Sequence, residues 1–303
     1  MTTQTTTLVR TREELAAALA VQDVQAVPRT EGRGAHTARP HRRAVVMTMG
    51  ALHAGHLSLV AKARELADAV VVTIFVNPLQ FGAGEDLSRY PRDLDGDLAL
   101  LSGPGLLGPD DIVFAPGPDV MYPDGDPIVR VGAGAIGAVL EGASRPGHLD
   151  GVLTVVLKLL HLTRPDVALF GRKDAQQLAA VRRMVRDLDV PVVVHGAPVV
   201  RDEDGLALSS RNAYLSTDER RRALGLSQAL RLASPKGSAV AIRTTALDVL
   251  HAAGVEDVDY VALVDPDTFD DVGPSYRGDA LLLLAAQVGS TRLIDNDTVE
   301  VSA

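Results

Sequence analysis

The sequence predicts an α/β fold in which a doubly wound parallel sheet is followed by a smaller C-terminal α+β domain. Up to about residue 199, short runs of Val, Ile and Leu alternate with helical segments, which is typical of parallel strands buried on both faces. Beyond that point, two helical segments precede three grouped strand segments. We therefore expect two domains, over residues 1–199 and 200–303.

The elements can be placed in order along the chain. Thr11 and Glu14 form a capping-box pattern that opens a helix to about Val21, and the Pro-, Gly- and Arg-rich residues 27–43 predict an exposed loop. Strands of the first domain are predicted at AVVMT, AVVVTIFV, DIVFAP, DVALF and PVVVHGAPVV. Its other helices are predicted over residues 57–67, 94–101, 151–164 and 175–188. The second domain should contain helices over residues 217–233 and up to about 253, then strands at DYVALVD, ALLLLAAQV and TRLIDN.

Composition places the chain among ordinary globular proteins and limits its partners. Apolar residues make up 46% and charged residues 23% of the 303 residues. The longest apolar runs are far shorter than the roughly 20 residues of a membrane-spanning helix, and the N-terminal residues lack a secretory pattern. The absence of cysteine excludes disulfides and cysteine metal sites and fits a cytoplasmic protein. The net charge of -9 argues against broad nucleic-acid binding and leaves small polyanions as possible partners.

The stretch MTMGALHAGHLSLV, residues 47–60, lies at a predicted strand-to-helix junction. Its glycines allow close backbone approach, and a helix start offers unpaired N–H groups to an anion. His53 and His56 add two side-chain donors at the same point, which favours a phosphate site at the carboxyl end of a strand. Two alternatives stay open, a shared metal ion and a purely structural pair, although neither HExxH nor an obvious third ligand accompanies the histidines.

Two later stretches offer further anion donors. In FGRKDAQQL, Lys173 is placed at a helix start as a phosphate donor, and Asp174 is suited equally to capping that helix or binding a ribose hydroxyl. In LALSSRN, hydroxyls and the Arg211 guanidinium form a candidate anion clamp, although such a stretch alone is usually an ordinary loop.

Polar residues after the second strand form a third group of candidates. Asn77 and Gln80 follow the strand in FVNPLQFG, and YPRDLDGD contains Tyr90, Asp95 and Asp97. Isolated aspartates are most often solvated helix starts, so a metal contact at Asp97 needs support beyond spacing.

Seven stretches in order resemble the pantothenate synthetase (pantoate–β-alanine ligase) family of the HxGH nucleotidylyltransferase superfamily. They are TMGALHAGH, IFVNPLQFG, YPRD, MYPDG, EGASRPGHLDGVLTVVLKLL, LFGRKDAQQL and LSSRNAYL. The resemblance runs from about Leu8 to the C-terminus. It implies a Rossmann-like domain with a C-terminal lid, a cytoplasmic homodimer, and ATP-dependent condensation of pantoate with β-alanine through pantoyl adenylate, with Mg2+ as cofactor.

The resemblance also implies residue roles. ATP would contact Met49, His53, His56, Gly171, Lys173, Asp174, Ser209, Ser210 and Arg211. The catalytic groups among these would be His53, His56, Lys173, Ser209, Ser210 and Arg211. Pantoate would contact Gln80 and Gln177, the lid or cavity would include Tyr90, Arg145 and His148, and Asp97 would lie near magnesium.

The chain departs from the family pattern at a few positions. The family usually has Glu at Arg172, an aromatic residue at Ala175 and Met at Leu208, and some relatives have an acidic residue at Gly96. These departures motivate one alternative, a non-catalytic nucleotide-binding protein. A second alternative is another adenylyl or cytidylyl transferase of the superfamily, whereas a nicotinamide-dependent dehydrogenase is disfavoured because no GxGxxG opens the first sheet helix.

Overall fold

The computed structural model describes residues 6–25, 41–82 and 84–302. The chain divides into two compact units, Met1–Phe170 with Ala180–Ala197, and Gly171–Ala179 with Pro198–Ala303. Each unit has its own hydrophobic core. The segment after the fifth strand is thus grouped with the C-terminal residues, and a domain boundary near residue 199 stays a prediction.

The first unit contains a six-stranded parallel sheet. Its strands in chain order are β1 (Thr7–Val9), β2 (Arg43–Thr48), β3 (Ala69–Ile74), β4 (Ile112–Phe114), β5 (Val167–Gly171) and β6 (Val193–Ala197). Among the described residues, the spatial order is β1-β4-β3-β2-β5-β6, with parallel registers such as Val45↔Val71 and Val45↔Ala168. The predicted doubly wound parallel sheet is therefore confirmed.

The strands form because their apolar side chains are buried on both faces. Val70, Val71 and Val72 are consecutive in β3, and all three are fully buried, so both faces of the strand are covered. Burial of each such side chain contributes roughly 1.5–3 kcal/mol. Strand β1 was not predicted, since its three residues are too few to show a period, and its pairing with β4 is non-local.

Helices accompany the sheet largely where the sequence predicted them. They are α1 (Arg12–Gln25), α2 (Ala54–Leu66), α3 (Leu94–Leu101), α4 (Pro118–Met121), α5 (Glu141–Ser144), α6 (His148–Thr163) and α7 (Ala175–Asp187). Short 3-10 helices lie at Pro78–Gln80, Asp86–Ser88 and Gly134–Ala138. The capping box of α1 is confirmed, since the backbone N–H of Glu14 donates to Thr11 Oγ1 and that of Thr11 to Glu14 Oε2, both at 3.1 Å. The helix nevertheless extends beyond Val21 to Gln25.

The predicted loop over residues 27–43 lies mostly outside the described residues. Its last residue was assigned wrongly, because Arg43 is the buried first residue of β2. The Arg43 guanidinium donates to Gln22 Oε1 (2.8 Å) and Asp23 Oδ1 (2.6 Å) and to backbone carbonyls, so its burial is compensated by hydrogen bonds.

The strand order creates a switch point beside β2. From β2 the chain proceeds to β3 and β4 on one side, and it then returns to place β5 on the other side. In open α/β sheets, ligands bind at the carboxyl ends of the strands where the order reverses. The segment MGALHAGH begins at that end of β2.

The second unit has the predicted α+β architecture. Its elements are α8 (Thr217–Ala233), α9 (Ala239–Ala252), β7 (Asp257–Val264), β8 (Gly278–Val288) and β9 (Thr291–Val301), with short 3-10 helices at Ser210–Tyr214 and Ser234–Lys236. The three strands form an antiparallel sheet in the order β7-β8-β9, and buried Leu, Ile, Val and Ala side chains of both helices and the sheet form the core. Across the described residues, the helices are too short or too polar to span a bilayer.

Candidate active site

The segment that leaves β2 turns sharply before helix α2. Thr48 ends the strand, and its hydroxyl donates to the carbonyl oxygen of Thr73 at 2.8 Å. Gly50 (φ 82°) and Ala51 (φ 50°) follow in the left-handed region. A non-glycine residue such as Ala51 is rarely found there and needs surrounding contacts that hold it.

Asp97 of α3 supplies those contacts. One carboxylate oxygen accepts from the backbone N–H of Leu52 at 2.7 Å, and the other accepts from that of Ala51 at 3.2 Å. The side chain is buried, and burial raises the pKa of Asp97 although the two backbone hydrogen bonds oppose that shift. The contacts therefore give Asp97 a positioning role in the turn after β2.

His53 and His56 form a reciprocal cap at the start of α2. The backbone N–H of Gly55 donates to His53 Nδ1 at 3.1 Å, and the backbone N–H of His53 donates to His56 Nδ1 at 3.4 Å. The two ring centroids lie 4.1 Å apart. A ring nitrogen that accepts a hydrogen bond carries no proton, so each imidazole carries its proton on Nε2, a donor suited to an anion.

Helix α2 therefore begins earlier than predicted. It starts at Ala54 rather than Leu57, which places His56 in its first turn and makes His53 the N-cap. The sequence rules expect Ser, Thr, Asp or Asn as N-cap residues, and the imidazole of His53 takes that role here.

After β3, a buried amide network organises the 3-10 helix Pro78–Gln80. Asn77 donates through Nδ2 to Gly151 O and to Gln80 Oε1, both at 3.1 Å, and it accepts from the Tyr122 hydroxyl at 2.8 Å. Gly151 permits the approach of α6, because a Cβ at this position would overlap the carbonyl oxygen of Leu79. Asn77 and Tyr122 are buried, and burial raises the pKa of the Tyr122 hydroxyl, so it remains a donor.

This network orients the Gln80 side chain. Since Gln80 Oε1 accepts from Asn77, its Nε2 faces the other way and donates to Met49 Sδ at 2.9 Å. Two of the predicted site residues, Met49 and Gln80, are therefore in contact. The amide presents N–H donors toward the turn after β2, which suits an acceptor such as a hydroxyl or carboxylate oxygen.

Arg145 and His148 bind the backbone carbonyl of Gln80. His148 Nδ1 donates to the Gln80 carbonyl oxygen at 2.8 Å, while His148 Nε2 accepts from Arg145 Nη1 at 2.9 Å. Arg145 also binds both carboxylate oxygens of Glu85, at 2.9 and 2.6 Å. The Arg145 guanidinium lowers the pKa of Glu85. Tyr90 is buried nearby, and its ring centroid lies 5.9 Å from that of Phe81 in an edge-to-face arrangement.

The second unit contains the turn between β5 and α7. Lys173 Nζ lies 3.9 Å from the Asp174 carboxylate, and the Asp174 carbonyl accepts from the backbone N–H of Leu178 at 2.9 Å. Asp174 thus directly precedes the helix, and the choice between its two predicted roles stays open. Gln177 is half-buried in the first turn of α7.

The serine-rich stretch forms an ordered turn in the same unit. Ser209 is the N-cap of the 3-10 helix Ser210–Tyr214, and its Oγ accepts from the backbone N–H of Arg211 at 3.3 Å. The side-chain amide of Asn212 donates to the Ala207 carbonyl oxygen at 3.0 Å. These contacts organise the backbone of the stretch that was predicted to be an anion clamp, and that role stays a prediction.

Comparison with known proteins identifies the family of the chain. The model of the pantoate-beta-alanine ligase family matches residues 20–298. The chain belongs to the pantoate-beta-alanine ligase family.

Relatives and solved structures of this family resemble the chain over most of its length. A pantothenate synthetase of Thermobifida fusca is 57% identical, covering 84% of this chain and 88% of its own. One of Streptomyces coelicolor is 52% identical, covering 88% and 94%. The crystal structure of pantothenate synthetase from Thermus thermophilus has a TM-score of 0.82 at 44% identity and covers 98% of this chain and 100% of its own. A Francisella tularensis pantoate-beta-alanine ligase complexed with beta-gamma ATP and beta-alanine has a TM-score of 0.74 at 30% identity, with coverage of 96% and 97%.

The ligase motifs predicted in the sequence are thus distributed over both units. The first unit brings together Met49 with Gln80, His53 with His56, and Arg145 with His148. The second unit contains the Lys173 turn and the Ser209–Arg211 turn. In the part of the chain that the structure describes, no group of three His, Asp or Glu side chains is arranged to hold a metal ion.

Sequence reasoning missed several supporting residues of this ligase. Glu85 and Tyr122 were not selected, and Asn77 was named without a role, although Asn before Pro is a frequent turn signal. Of the departures from the family pattern, the Arg172 side chain is exposed and Ala175 is buried at the start of α7.

Proposed function

We propose that this chain joins pantoate to β-alanine, the reaction for which its family is named, with ATP converted to AMP and diphosphate. The single observation that carries the proposal is the imidazole pair at the switch point, whose Nδ1 atoms cap α2 and whose Nε2 protons are donors. Family membership and the motif order support it. ATP as a substrate agrees with the ligand named for the Francisella tularensis ligase.

In the first half-reaction, a pantoate carboxylate oxygen attacks the α-phosphorus of ATP. A new O–P bond forms as the bond to the bridging oxygen breaks, and diphosphate leaves with that electron pair. The carboxylate is already ionised at neutral pH, so this step needs no general base. It needs in-line positioning and stabilisation of charge on the phosphate oxygens.

The first unit supplies donors and a pantoate subsite. His53 and His56 contact the phosphates through Nε2–H, and Met49 lies beside the reacting groups. Gln80 donates to an oxygen of pantoate, which is the orientation that Asn77 imposes on its amide.

Around this subsite, Arg145 and His148 hold the Gln80 carbonyl, and Tyr90 packs against Phe81 beside it. These three residues act through position and not through contact with the reacting atoms.

The second unit supplies the remaining donors. Lys173 stabilises phosphate charge in the transition state. The clamp on the triphosphate consists of Ser209, Ser210 and Arg211. The ribose is bound by Gly171 and Asp174, and Gln177 provides a second amide for pantoate.

In the second half-reaction, the amine of β-alanine attacks the acyl carbon of pantoyl adenylate. The C–N bond forms and the C–O bond to AMP breaks, which gives pantothenate. Before attack the ammonium group must lose one proton to solvent, and the further proton that the nitrogen loses as the amide forms can pass to the departing AMP phosphate or to solvent.

Magnesium enters with ATP in this proposal, held by phosphate oxygens and water. Mg2+ commonly keeps several waters and uses only one or two carboxylates, so an ion that is bound with ATP would need few protein ligands. Asp97 is proposed to lie near this ion without ligating it, because both of its oxygens accept backbone N–H groups. We also propose a cytoplasmic homodimer, whose subunit number light scattering would measure.

A diphosphate–ATP exchange assay tests the reaction. We expect label from diphosphate to enter ATP when pantoate alone is added, and AMP to appear when β-alanine is added as well. Exchange at the same rate with and without pantoate would support another nucleotidylyl transferase of the superfamily and overturn the proposal.

The role of Lys173 has its own test. Lys173→Ala should lower the adenylation rate while changing the pantoate KM little, because its charge is used mainly in the transition state. A raised KM with an unchanged kcat would contradict this role.

A further inference from the structure

Asn296 of β9 binds the backbone of the Lys173 turn. Its Nδ2 donates to the carbonyl oxygens of Arg172 at 3.0 Å and Lys173 at 2.7 Å. The Asn296 side chain is buried. A primary amide has two N–H donors, and both are used here, so the turn is held at two successive peptide groups.

The preceding residue, Asp295, binds a different segment. Its carboxylate accepts from Arg201 Nη1 at 2.6 Å and from Nη2 at 3.0 Å, a bidentate pair that fixes the guanidinium. Asp295 is only 2% exposed, and burial raises its pKa while the Arg201 pair opposes the shift. A buried carboxylate is retained only with such compensation.

Arg201 belongs to the short hairpin that leads to the serine-rich turn. It forms a β-bridge with Ala207, and the backbone N–H of Leu208 donates to the Val200 carbonyl oxygen at 2.9 Å. Ser209 follows this hairpin directly. The Asp295–Arg201 pair therefore anchors the base of the Ser209–Arg211 turn.

The backbone of this Asp–Asn pair is itself fixed by the sheet. Asp295 pairs with Leu284 and Asn296 with Leu283 in the antiparallel ladder of β8 and β9. Successive side chains of a strand point to opposite faces, so neighbouring residues can reach separate segments. The pair thus links two stretches that both carry phosphate donors in the proposed function.

We propose that Asn296 and Asp295 are positioning residues for the reaction, Asn296 for Lys173 and Asp295, through Arg201, for the Ser209–Arg211 turn. This inference depends on the proposed function. Transition-state stabilisation requires donors at set positions, and a displacement of about 1 Å can reduce the rate on the order of 100-fold. Loss of either residue leaves every ATP-contacting side chain present but displaces the turn that the residue holds.

A double-mutant cycle tests the Asn296 assignment. Pantoate-dependent exchange of labelled diphosphate into ATP is measured for the wild type, Asn296→Ala, Lys173→Ala and the double variant. We expect Asn296→Ala to reduce the exchange rate on the order of 10-fold or more, with the ATP KM changed by less than about threefold. In the Lys173→Ala background, the same substitution should reduce the rate by a clearly smaller factor, because the Lys173 contribution is already absent and only the ribose contacts of the same turn are left to be displaced.

An exposed position of the same strand provides a control. Thr298→Ala alters the surface of β9 and leaves Asp295, Asn296 and Arg201 in place, so it should keep the wild-type rate. Asn296→Ser retains one donor and should be intermediate, and it replaces Asn296→Ala in the cycle if that variant does not fold. Asp295→Asn should also reduce exchange, because it weakens the bidentate hold on Arg201. It is kept out of the Lys173 cycle, because the Asp295 carboxylate also interacts electrostatically with Lys173. A wild-type exchange rate in Asp295→Asn would overturn its positioning role.

Different results would overturn the positioning role and the proposed function. A wild-type rate in Asn296→Ala, or an equal loss in both Lys173 backgrounds, would overturn the positioning role. A wild-type protein without pantoate-dependent exchange would instead overturn the proposed function.

Discussion

His53 and His56 cap helix α2 reciprocally. The backbone N–H of His53 donates to His56 Nδ1, and His53 Nδ1 accepts from the backbone N–H of Gly55. The structural and anion-binding interpretations of this pair are therefore compatible. One nitrogen of each ring stabilises the helix start, and the other carries the proton offered to a phosphate.

Replacing His53 separates these two roles. Asn is a good N-cap but lacks the Nε2 donor, so His53→Asn should unfold near the wild-type temperature while its exchange rate falls on the order of 100-fold. His53→Ala loses both groups and should also lose about 1 kcal/mol of unfolding free energy. Thermal unfolding and diphosphate exchange provide the measurements. Near-wild-type exchange in His53→Asn would show that the imidazole serves the helix alone.

Asp97 should act on the turn after β2 through its hydrogen bonds. Asp97→Asn replaces one acceptor by an N–H group facing a backbone N–H, and we expect a loss of about 1–3 kcal/mol in unfolding free energy. The exchange rate should fall as well, because His53 follows the turn.

A magnesium titration distinguishes this role from metal binding. Raising Mg2+ tenfold should not restore exchange in Asp97→Asn, and Asp95→Asn, an exposed neighbour on the same helix, should behave as the wild type. Full recovery at high Mg2+ would assign Asp97 to the metal instead.

The Glu85–Arg145 pair predicts a pH-dependent contribution to stability. The pKa of Glu85 is lowered from 4.5 in the fold, first by its hydrogen bond to Arg145. Its contribution is therefore present above the unfolded pKa and is lost as the pH falls through the lower folded pKa. Glu85→Gln should cost about 2 kcal/mol of unfolding free energy at pH 7, and the difference should disappear in acid.

Denaturant unfolding of both proteins from pH 7 to pH 3 measures this difference. Glu65→Gln is a matched control, because Glu65 pairs with Lys62 on an exposed helix face and should contribute little. A Glu85→Gln deficit that stayed constant with pH would contradict the ion-pair origin. The variant should also raise the pantoate KM, since Arg145 and His148 hold the Gln80 carbonyl.

Gly151 is required where α6 approaches the 3-10 helix Pro78–Gln80. Gly151→Ala places a Cβ against the Leu79 carbonyl and should displace the 3-10 helix that carries Gln80, with a cost of about 1–3 kcal/mol. The pantoate KM should rise more than the ATP KM. Gly132→Ala is the control, because a Cβ there meets open space. Equal effects of the two substitutions on the pantoate KM would show that the close approach is unimportant.

The sequence alone predicted the type and order of most elements, because burial patterns and capping residues are local. Helices α3 and α8 were predicted with their observed bounds, and the strands of both sheets were placed, apart from β1. Helix starts were less accurate where an unusual residue caps, as at His53, or where a glycine precedes the helix, as at α6. The motif residues could be named from their order along the chain.

Only the tertiary structure decided which side chains hold those motif residues. Asp97 reaches Leu52 across 45 residues, Asn77 reaches Gly151 across 74, and Asn296 reaches Lys173 across 123. No periodicity or fixed spacing in the sequence marks these contacts. The partners are far apart along the chain and come together only when the sheets have formed. The sequence determined which motif residues the chain contains and in what order, and the packing of distant segments decided how Gln80, Lys173 and the turn after β2 are held.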